Sequence, residues 1–571
     1  MHSSRRTFLK QAGLGAAATS LGLFAPVSNC LAGHALKGWQ LRRSTPEDQG
    51  VSSGGILDFL DALEHGPHEL HSFMLLRHGQ VIAEGWWTPY RANLNHVLYS
   101  LSKSFTSTAV GFAVADCVLK TSDLVVSFFP DDLPSPVSEN LAALRVQDLL
   151  TMSVGHAEDS LEAIAKEHNW ARAFLALPIP NRPGTHFVYN SGATYMLSAI
   201  VQKVTSQKLI DYLRPKLFEP LGITSMTWET CPRGINTGGW GLSVPTEGLA
   251  RFGQLYLRKG ICHEHERGPS FWPAVGRWLG VVEEPPPPLA PAQPVWEGQR
   301  LLPAAWVQET TTFKIQQPAP PGVDLEALKQ KSDWHQGYCY QFWRCRHNAF
   351  RGDGAFGQFT IVMPDQDAVV VITSESPNLQ AELDLVWDHL LPAMKDAPLP
   401  ADHFLRGRLR DRLARLALPP TRTGLNPSVA AAISGRYFLI EPNPMNVRTV
   451  CFDFEKHSCR FLLSDTKDDY TIECGLERWV EGETSMPGTP PRLTPGGPST
   501  ASHVAASGAW KDPNTFEMIW RFTETPHHDI VTCRFDARHL KIEFLNSITS
   551  RLVPSRLETR PVLKGTLEGK A

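Results

Sequence analysis

The sequence lacks the features expected for a nucleic-acid partner, a structural metal site or a membrane-spanning helix. Its 571 residues carry a formal net charge of -3, so there is no cationic field to attract a phosphate backbone. The 10 cysteines include no C-x-x-C pair and no zinc-finger spacing, and their pairing is left open. No stretch beyond the amino-terminal region reaches the roughly 18 uninterrupted apolar residues of a transmembrane helix. We therefore expect a mature chain without a transmembrane segment, a nucleic-acid partner or a metal.

The amino terminus has the pattern of an export signal. In "SSRRTFLK", Arg5 and Arg6 stand ahead of a polar and an aromatic residue, which looks like a twin-arginine motif. The apolar run Ala12–Val27 is rich in Gly and Ala, and it is shorter than the roughly 20 residues that a bilayer needs. A cleavage site just after Ala32 fits the small residues there. We expect residues 1–33 to direct export, and the protein to be periplasmic or otherwise extracytoplasmic.

Two hairpin patterns lie far apart in the chain. They are "SFMLLRHGQVIAEGWW" (72–87) and "FTIVMPDQDAVVVITS" (359–374). Between them, from about 100 to 260, the apolar periodicity is mostly helical. We predict an α/β fold for residues 34–397, in which an antiparallel sheet built from both ends of the segment is flanked by helices and the helical middle is inserted into it.

The last third of the chain has a different pattern. Residues 398–427 contain the basic amphipathic segment "FLRGRLRDRLARLAL" between prolines, which predicts a linker helix. Residues 428–560 show short alternating runs such as "CRFLLSD", "FEMIWRF" and "LKIEFLN", which predict a β-sandwich or barrel domain, and 561–571 form a tail. Irregular surface loops are predicted at 261–295 and 484–500.

The stretch "HVLYSLSKSFTSTAVGF" (96–112) places Ser100 three residues before Lys103. If a helix begins near Ser100, the two side chains lie on one face, and the lysine can take the proton that a serine nucleophile must lose. Burial of Lys103 would favour the neutral amine that this role requires. Ser464 and Lys467 have the same spacing, but they lie between β-type runs in "SDTKDDYT", where water would keep the lysine charged. The motif alone leaves a solvated helix start open.

Two further segments carry chemistry that would complete such a site. Tyr189 and Ser191 lie in a turn before a periodic helix, where a phenol near a lysine can relay a proton, or can merely anchor the loop. In "RGDGAFGQFTIVMP", Gly352, Gly354 and Gly357 enter the second hairpin, where a strand N–H can stabilise an oxyanion. A β-bulge is the other interpretation of these glycines. The joint order of the three segments favours the catalytic interpretation.

Four segments together resemble the serine β-lactamase and penicillin-binding-protein superfamily, particularly its class C β-lactamases, D-alanyl-D-alanine carboxypeptidases and related esterases. They are "YSLSKSFTS" (99–107), "FVYNSGATYMLSAIV" (187–201), "GGWGLSVPTEGLARFGQLYLRKG" (238–260) and "GDGAFGQ" (352–358). The resemblance extends over roughly residues 45–395. It implies a serine hydrolase that works through an acyl-enzyme without a cofactor.

The resemblance also implies a role for individual residues. Ser100 would be the acylated nucleophile, Lys103 its proton partner, and Tyr189 the general base and acid. The backbone N–H groups of Ser100 and Ala355 would form the oxyanion hole. Ser191 takes the place where many relatives have asparagine, so a polar contact with substrate is retained but its reach changes.

The third motif departs from the family pattern. Where relatives usually carry Lys-Thr-Gly or His-x-Gly, this chain has Gly352-Asp353-Gly354, and Asp353 would repel a substrate carboxylate. Arg351 is adjacent, but neighbouring strand positions face opposite sides, so it is a poor replacement for the lysine. With Ser191, Asp353 and Gly354 are the predicted substrate-binding residues. The sequence favours a small-molecule or peptide-like ester or amide without a carboxylate there, with a β-lactam or D-Ala-D-Ala substrate as the alternative.

Two interpretations of another class stay open. A catalytically silent protein of this fold would bind a cell-wall component or a partner, but the intact Ser100, Lys103 and Tyr189 argue against it. A metal hydrolase would rest on residues 262–265, "CHEH", whose spacing differs from the helical H-E-x-x-H, so a solvated loop is favoured. The oligomeric state and the role of the β domain are not indicated.

Overall fold

The computed structural model describes residues 41–266, 296–490, 501–552 and 558–569. The predicted export signal lies outside the described residues, as do most of the segment 261–295 and the end of the segment 484–500. Over the described ranges, every helix is too short or too polar to cross a bilayer.

The first domain is built on a seven-stranded sheet to which both ends of the domain contribute. The strands of this domain are β1 (Arg42–Arg43), β2 (Glu69–Arg77), β3 (Gln80–Trp86), β4 (His96–Val97), β5 (Thr227–Trp228), β6 (Leu242–Val244), β7 (Ile261–Glu266), β8 (Trp296–Arg300), β9 (Trp343–Arg344), β10 (Phe350–Gly354), β11 (Gln358–Met363) and β12 (Ala368–Glu375). The sheet order is β1-β3-β2-β12-β11-β10-β9, and all neighbours are antiparallel except β1 and β3. The two predicted hairpins, β2–β3 and β11–β12, meet through the pair β2–β12. This confirms the predicted α/β arrangement.

Helices cover both faces of this sheet. The α-helices of the described residues are α1 (Ser53–His65), α2 (Ser102–Ala115), α3 (Glu139–Ala143), α4 (Val146–Leu150), α5 (Leu161–Ile164), α6 (Trp170–Ala176), α7 (Ser191–Thr205), α8 (Leu209–Leu213), α9 (Thr246–Leu257), α10 (Ala304–Thr311), α11 (Leu325–Lys329), α12 (Leu379–Leu385), α13 (Leu391–Ala393), α14 (His403–Leu413) and α15 (Ser428–Ile433). Short 3-10 or π turns lie at Glu47–Gln49, Tyr99–Leu101, Val125–Phe128, Pro130–Asp132, Arg214–Phe218, Pro364–Gln366, Val386–Leu390 and Ile548–Leu552.

Strand β2 separates two apolar cores. Its residues Phe73 and Leu75 pack in the core that includes α1, whereas Met74 and Leu76 pack in the core that includes α2, α7 and α9. Alternate side chains of a strand point to opposite faces, so an uninterrupted apolar strand such as this one is buried on both sides. The inserted helical region therefore lies on one face of the sheet, and the α1 side closes the other.

The second domain is a closed barrel. Its strands are β13 (Arg436–Ile440), β14 (Thr449–Phe454), β15 (Ser458–Ser464), β16 (Asp469–Leu476), β17 (Val480–Thr484), β18 (Ser502–Asp512), β19 (Thr515–Phe522), β20 (His528–Asp536), β21 (His539–Asn546) and β22 (Leu563–Leu567). Nine of them form a ring that the parallel pair β16–β18 closes, and β17 pairs with the other half of β18. This settles the choice between sandwich and barrel in favour of the barrel.

Three boundaries differ from the sequence analysis. The predicted β domain ends at residue 560, whereas β22 pairs with both β13 and β21 and completes the ring, so the segment assigned to a tail includes a structural strand. Its alternating "LKGTL" is too short to stand out from loop sequence. The predicted loop 261–295 begins with β7, which pairs with β8, and only its later residues lie outside the described ranges. The linker helix occupies only His403–Leu413 of the segment 398–427.

Candidate active site

Ser100 lies in a 3-10 turn rather than at the first residue of an α-helix. The turn Tyr99–Leu101 follows β4 and leads directly into α2, which begins at Ser102. The preceding backbone is fixed because the N–H of Leu98 donates to the carbonyl of Leu242 at 2.8 Å. The Ser102 hydroxyl accepts a hydrogen bond from the N–H of Leu242, so Ser102 points away from Ser100, as the predicted helical spacing requires.

Lys103 is held beside the serine by three donated hydrogen bonds. Its Nζ lies 3.1 Å from Ser100 Oγ, 3.3 Å from Ser191 Oγ and 2.8 Å from the carbonyl oxygen of Gly239. The lysine side chain is buried, whereas Ser100 is half-buried and open to a substrate. The structure thus brings together Ser100, Lys103 and Ser191. The Gly239 carbonyl was missed as a site group, although the segment that contains it contributed to the family resemblance.

Burial makes Lys103 a usable base near neutral pH. It lowers the pKa of the Lys103 amine to about 8, although the carboxylates of Asp159 and Asp353 act to raise it. An ammonium removed from water loses hydration that these carboxylates replace only in part. A substantial fraction of the amine is therefore neutral at mildly alkaline pH, and the neutral amine can accept the serine proton.

Tyr189 lies beside Lys103, but burial moves its pKa in the opposite direction. Its ring centroid is 4.8 Å from Lys103 Nζ, and its hydroxyl is hydrogen-bonded to Ser100. Burial raises the pKa of Tyr189 well above its usual value, and the hydrogen bond with Ser100 offsets this only partly. The sequence analysis expected the neighbouring lysine to ease its deprotonation, whereas desolvation has the larger effect. The phenol therefore stays protonated at neutral pH, and Lys103 is the better base.

The N-terminus of α7 positions Ser191. Asn190 caps the helix by accepting a hydrogen bond from the N–H of Ala193 at 3.1 Å, and it also accepts one from Ser160 Oγ at 2.7 Å. The N–H of Ser191 donates to the exposed carboxylate of Asp159 at 2.8 Å. Asp159 was not predicted as a site residue, because it lies in a loop with no motif of its own. It places a negative charge at the mouth of the site.

Glycines allow strand β10 to lie against the turn that carries Ser100. A Cβ on Gly354 would meet the carbonyl oxygen of Leu98 at 2.1 Å, and a Cβ on Gly352 would meet Leu101 and Ser104 at 3.1 Å each. A side chain at Gly354 is therefore excluded by backbone contact. Ala355, the predicted second oxyanion donor, follows β10 directly and is half-buried. The pairing of the Ser100 and Ala355 N–H groups in an oxyanion hole stays a prediction.

Asp353 does not present an isolated negative charge. Its Oδ2 accepts a hydrogen bond from Arg351 Nε at 2.8 Å, and the two side chains lie on the same face of β10 because they are two residues apart. The guanidinium is completely buried and stacks on the ring of Trp334 at 4.3 Å. The expectation that Asp353 alone would repel a substrate carboxylate is therefore corrected. Arg351 neutralises the Asp353 carboxylate. Because its guanidinium is buried, Arg351 is not an exposed cation for a substrate.

Within the described residues, three side chains with metal-ligand chemistry lie between the two domains. Ligand atoms of Glu69, Glu375 and His528 all lie within 4.8 Å of one another. Glu69 already forms an ion pair with Arg521, and Glu375 accepts a hydrogen bond from His527 at 2.7 Å. The carboxylates are thus paired with groups of the protein itself, which is the arrangement of an interdomain polar network. Of the loop residues 262–265, only the Cys262 side chain is described, and it is buried.

The second S-x-x-K sequence has none of this geometry. Ser464 is the last residue of β15, and Lys467 is exposed in the following turn. The turn is held by Asp465, whose carboxylate accepts hydrogen bonds from the N–H groups of Lys467 and Asp468 at 2.6 and 2.9 Å. The contrast expected from the sequence is therefore present in the structure.

Comparison with known proteins places this geometry in a family. The Beta-lactamase family model matches residues 71–393, which is more than half of the chain. The match contains Ser100, Lys103, Tyr189 and strand β10, and it ends before the linker and the barrel.

Among curated proteins, the 6-aminohexanoate-dimer hydrolase of Paenarthrobacter ureafaciens is 24% identical over 237 residues, 38% of this chain and 60% of the relative. A putative D-alanyl-D-alanine carboxypeptidase of Escherichia coli K12 is 25% identical over 153 residues, 24% of this chain and 35% of the relative. The chain therefore spans less than two thirds of each of these relatives.

Among solved structures, a putative 6-aminohexanoate-dimer hydrolase from Bacillus anthracis shares 16% identity, with coverage of 62% of this chain and 87% of that one and a TM-score of 0.45. The octameric penicillin-binding protein homologue from Pyrococcus abyssi shares 13% identity, with coverage of 89% of this chain and 99% of that one and a TM-score of 0.42.

Proposed function

We propose that this chain, which belongs to the beta-lactamase family, is a serine hydrolase that cleaves an ester or amide through an acyl-enzyme on Ser100. The observation that carries the proposal is the 3.1 Å contact between Ser100 Oγ and the buried Nζ of Lys103, whose pKa is lowered to about 8. A serine hydroxyl needs such a base to become a nucleophile. The hydrolase names of the curated relatives agree with this chemistry.

In the acylation step, Ser100 Oγ attacks the substrate carbonyl carbon while Lys103 Nζ accepts the hydroxyl proton. The negative charge on the carbonyl oxygen is stabilised by the N–H groups of Ser100 and Ala355. The attack forms a tetrahedral intermediate. Its collapse breaks the bond to the leaving group, and Tyr189 donates a proton to the leaving group. Tyr189 regains its proton from the Lys103 ammonium, and water then releases the acyl group in the same manner. The raised pKa of Tyr189 keeps its phenol protonated at neutral pH, as a group that must donate a proton requires.

The proposed substrate is an ester or amide that has no carboxylate beside strand β10. Arg351 is completely buried and is paired with Asp353, so it is not available as a cation to a substrate. The exposed carboxylate of Asp159 adds negative charge at the mouth of the site. A D-Ala-D-Ala or β-lactam substrate is the second candidate, which the carboxypeptidase relatives favour by their name.

The test uses the purified full-length protein with a fluorophosphonate probe and short-chain p-nitrophenyl esters. We expect one adduct, located on Ser100 by intact mass and peptide mapping, and hydrolysis that falls at least ~1000-fold in Ser100→Ala. Ser464→Ala changes the serine of the second S-x-x-K sequence and is the matched control. We expect this variant to retain both the labelling of Ser100 and the ester hydrolysis. Neither labelling nor turnover in folded wild-type protein would contradict the proposal and favour a binding protein.

A substrate panel then separates the two candidates. Active protein is assayed against neutral esters and amides, the 6-aminohexanoate dimer, a D-Ala-D-Ala peptide and a chromogenic β-lactam. We expect the highest kcat/KM among substrates without a carboxylate next to the scissile bond. A preference for the D-Ala-D-Ala peptide or the β-lactam would contradict the substrate assignment while leaving the acyl-enzyme intact.

We also propose that the protein is exported through the twin-arginine pathway, because Arg5 and Arg6 precede a short apolar run. Replacement of both arginines by lysine is expected to retain the protein in the cytoplasm of a bacterial host with this pathway. Cell fractionation and immunoblotting measure the distribution. Unchanged export of the double variant would contradict the assignment.

A further inference from the structure

The two residues that flank the predicted oxyanion donors share an unusual backbone conformation. Tyr99, directly before Ser100, has φ 48°, and Phe356, directly after Ala355, has φ 70°. Non-glycine residues occupy this left-handed region at a cost, and they remain there only when surrounding contacts determine the conformation. The contacts of these two side chains therefore bear on the direction of the N–H groups beside them.

Both aromatic side chains contact one histidine of the barrel. The rings of Tyr99 and Phe356 pack edge-to-face with centroids 5.2 Å apart, and the His527 ring lies 4.9 Å from Phe356. The Tyr99 hydroxyl is also hydrogen-bonded to His527 Nε2. His527 is completely buried and immediately precedes β20. A residue from outside the family-matched segment thus joins the two turns that carry Ser100 and Ala355.

The histidine is itself held in one orientation. Glu375, at the end of β12, accepts a hydrogen bond from His527 Nδ1 at 2.7 Å, and the Ser547 hydroxyl donates to the same carboxylate oxygen. In the neutral imidazole, with the Nδ1 proton directed at a carboxylate, Nε2 is the acceptor and the Tyr99 hydroxyl is the donor. Burial acts to raise the pKa of Glu375, but the hydrogen bond from His527 and the His528 ring 3.2 Å away outweigh it and hold that pKa at about 2, so Glu375 remains ionised. The hydrogen bonds from Tyr99 to His527 and from His527 to Glu375 therefore run in one direction, and all three residues are buried.

Backbone contacts fix the same part of the barrel against the segment that leads to Ser100. The N–H of Val97 donates to the carbonyl of Glu524 at 2.9 Å, and the Tyr90 hydroxyl donates to the carbonyl of Thr525 at 3.1 Å. On the other side, the Phe356 carbonyl accepts from the Ser376 N–H at 2.8 Å. The connection between β19 and β20 is therefore bonded to the segment that leads to Ser100.

We propose that the barrel takes part in the reaction through His527, which acts as a positioning residue for the oxyanion hole. By holding Tyr99 and Phe356 in their left-handed conformations, His527 aligns the N–H groups of Ser100 and Ala355. The inference rests on the proposed acyl-enzyme function. It assigns the barrel a task inside the active site that is separate from binding of an outside partner.

The test compares Tyr99→Phe with Tyr90→Phe in the full-length protein. Each variant removes one tyrosine hydroxyl that bonds to the barrel, but only Tyr99 adjoins the nucleophile. A small displacement of a catalytic group typically costs up to about 100-fold in rate. We expect Tyr99→Phe to lower kcat for a p-nitrophenyl ester ~10- to 100-fold with KM within about twofold, and Tyr90→Phe to keep kcat within about twofold.

A second pair of variants tests the histidine itself. Gln can accept from Tyr99 and donate to Glu375, so His527→Gln is expected to recover most of the kcat that His527→Leu loses. Thermal unfolding identifies loss of fold, and titration of Ser100 with fluorophosphonate counts the competent sites. Equal kcat in Tyr99→Phe and Tyr90→Phe, with turnover by the wild type, would overturn the positioning role alone. A wild type without turnover would overturn both this inference and the proposed function.

Discussion

Ser100–Lys103 and Ser464–Lys467 repeat one four-residue pattern in two different settings. In the first, a 3-10 turn followed by α2 places Lys103 Nζ 3.1 Å from the serine hydroxyl. In the second, a strand ends at the serine and the lysine is exposed in a turn. The spacing is therefore compatible with chemistry and with an ordinary β-turn, and the backbone around it selects between them.

The difference between the two regions is mainly one of solvation. Lys103 has given up contact with water for two hydroxyls, one carbonyl and the ring of Tyr189, and its pKa is lowered to about 8. None of these partners carries a full negative charge, so they stabilise the ammonium less than bulk water does. A lysine in such surroundings loses its proton at a lower pH than a lysine in water does. An exposed lysine keeps its hydration, so this desolvation effect does not act on it.

The largest expected effect separates the two lysines. Lys103→Met removes the proposed base, and general-base catalysis typically contributes ~100- to 10,000-fold, so we expect kcat for a p-nitrophenyl ester to fall by that factor. Lys467→Met is the matched control and leaves kcat unchanged. Steady-state kinetics on both variants provide the measurement. A similar loss in both, or in neither, would contradict the distinction between the two settings.

The next effect concerns buried and exposed ion pairs. Arg351→Met leaves the Asp353 carboxylate buried without its partner, and breaking a buried pair in this way typically costs about 3–5 kcal/mol. We expect the free energy of unfolding in urea to fall by about 3 kcal/mol. Arg410→Met is the control, because Arg410 is 80% exposed and its pair with Asp411 is worth at most about 1 kcal/mol. Equal losses would show that burial of Arg351 is not what makes its pair important.

The sequence predicted the parts of the fold that depend on local periodicity. Apolar, β-rich runs joined by tight turns predicted the hairpins β2–β3 and β11–β12, which the pair β2–β12 joins into one sheet. The closure of the barrel did not follow. It depends on the parallel pair β16–β18, which no turn signals, and on β22, whose five residues resemble a loop.

In the active site, too, some features followed from local sequence and others depend on contacts between distant residues. Ser100, Lys103 and Tyr189 were predicted because two helix-opening motifs and a glycine-rich strand follow one another in an order that resembles a known superfamily. Tyr99 and His527 are separated by 428 positions, and no periodicity relates positions in different domains. The Arg351–Asp353 pair was within reach of the alternation rule, but its neutralising effect depends on burial that the local pattern does not specify.

A smaller effect is expected from pH, and it tests the environment of Lys103 directly. The neutral amine is the base, and its fraction rises as pH approaches about 8, so kcat/KM should rise about tenfold per unit below that value and level off above it. Asp159→Asn removes a carboxylate that raises the pKa of Lys103, so the profile should move to lower pH. Both the rise and the shift are measured from initial rates between about pH 5 and 9, on an amide that is stable without enzyme over this range. A shift of the Asp159→Asn profile to higher pH would contradict the assignment of Lys103 as the base.

The smallest effect belongs to the second S-x-x-K region. Asp465→Ala removes the acceptor for the N–H groups of Lys467 and Asp468 in an exposed turn, where water can replace it, so we expect a loss of about 1 kcal/mol or less in the free energy of unfolding. The kcat should remain within about twofold, because the turn has no part in the acyl-enzyme chemistry. Urea denaturation and ester hydrolysis measure the two quantities. A large fall in kcat with unchanged stability would mean that this turn acts on the active site, and the contrast between the two lysines would then no longer separate a catalytic setting from a structural one.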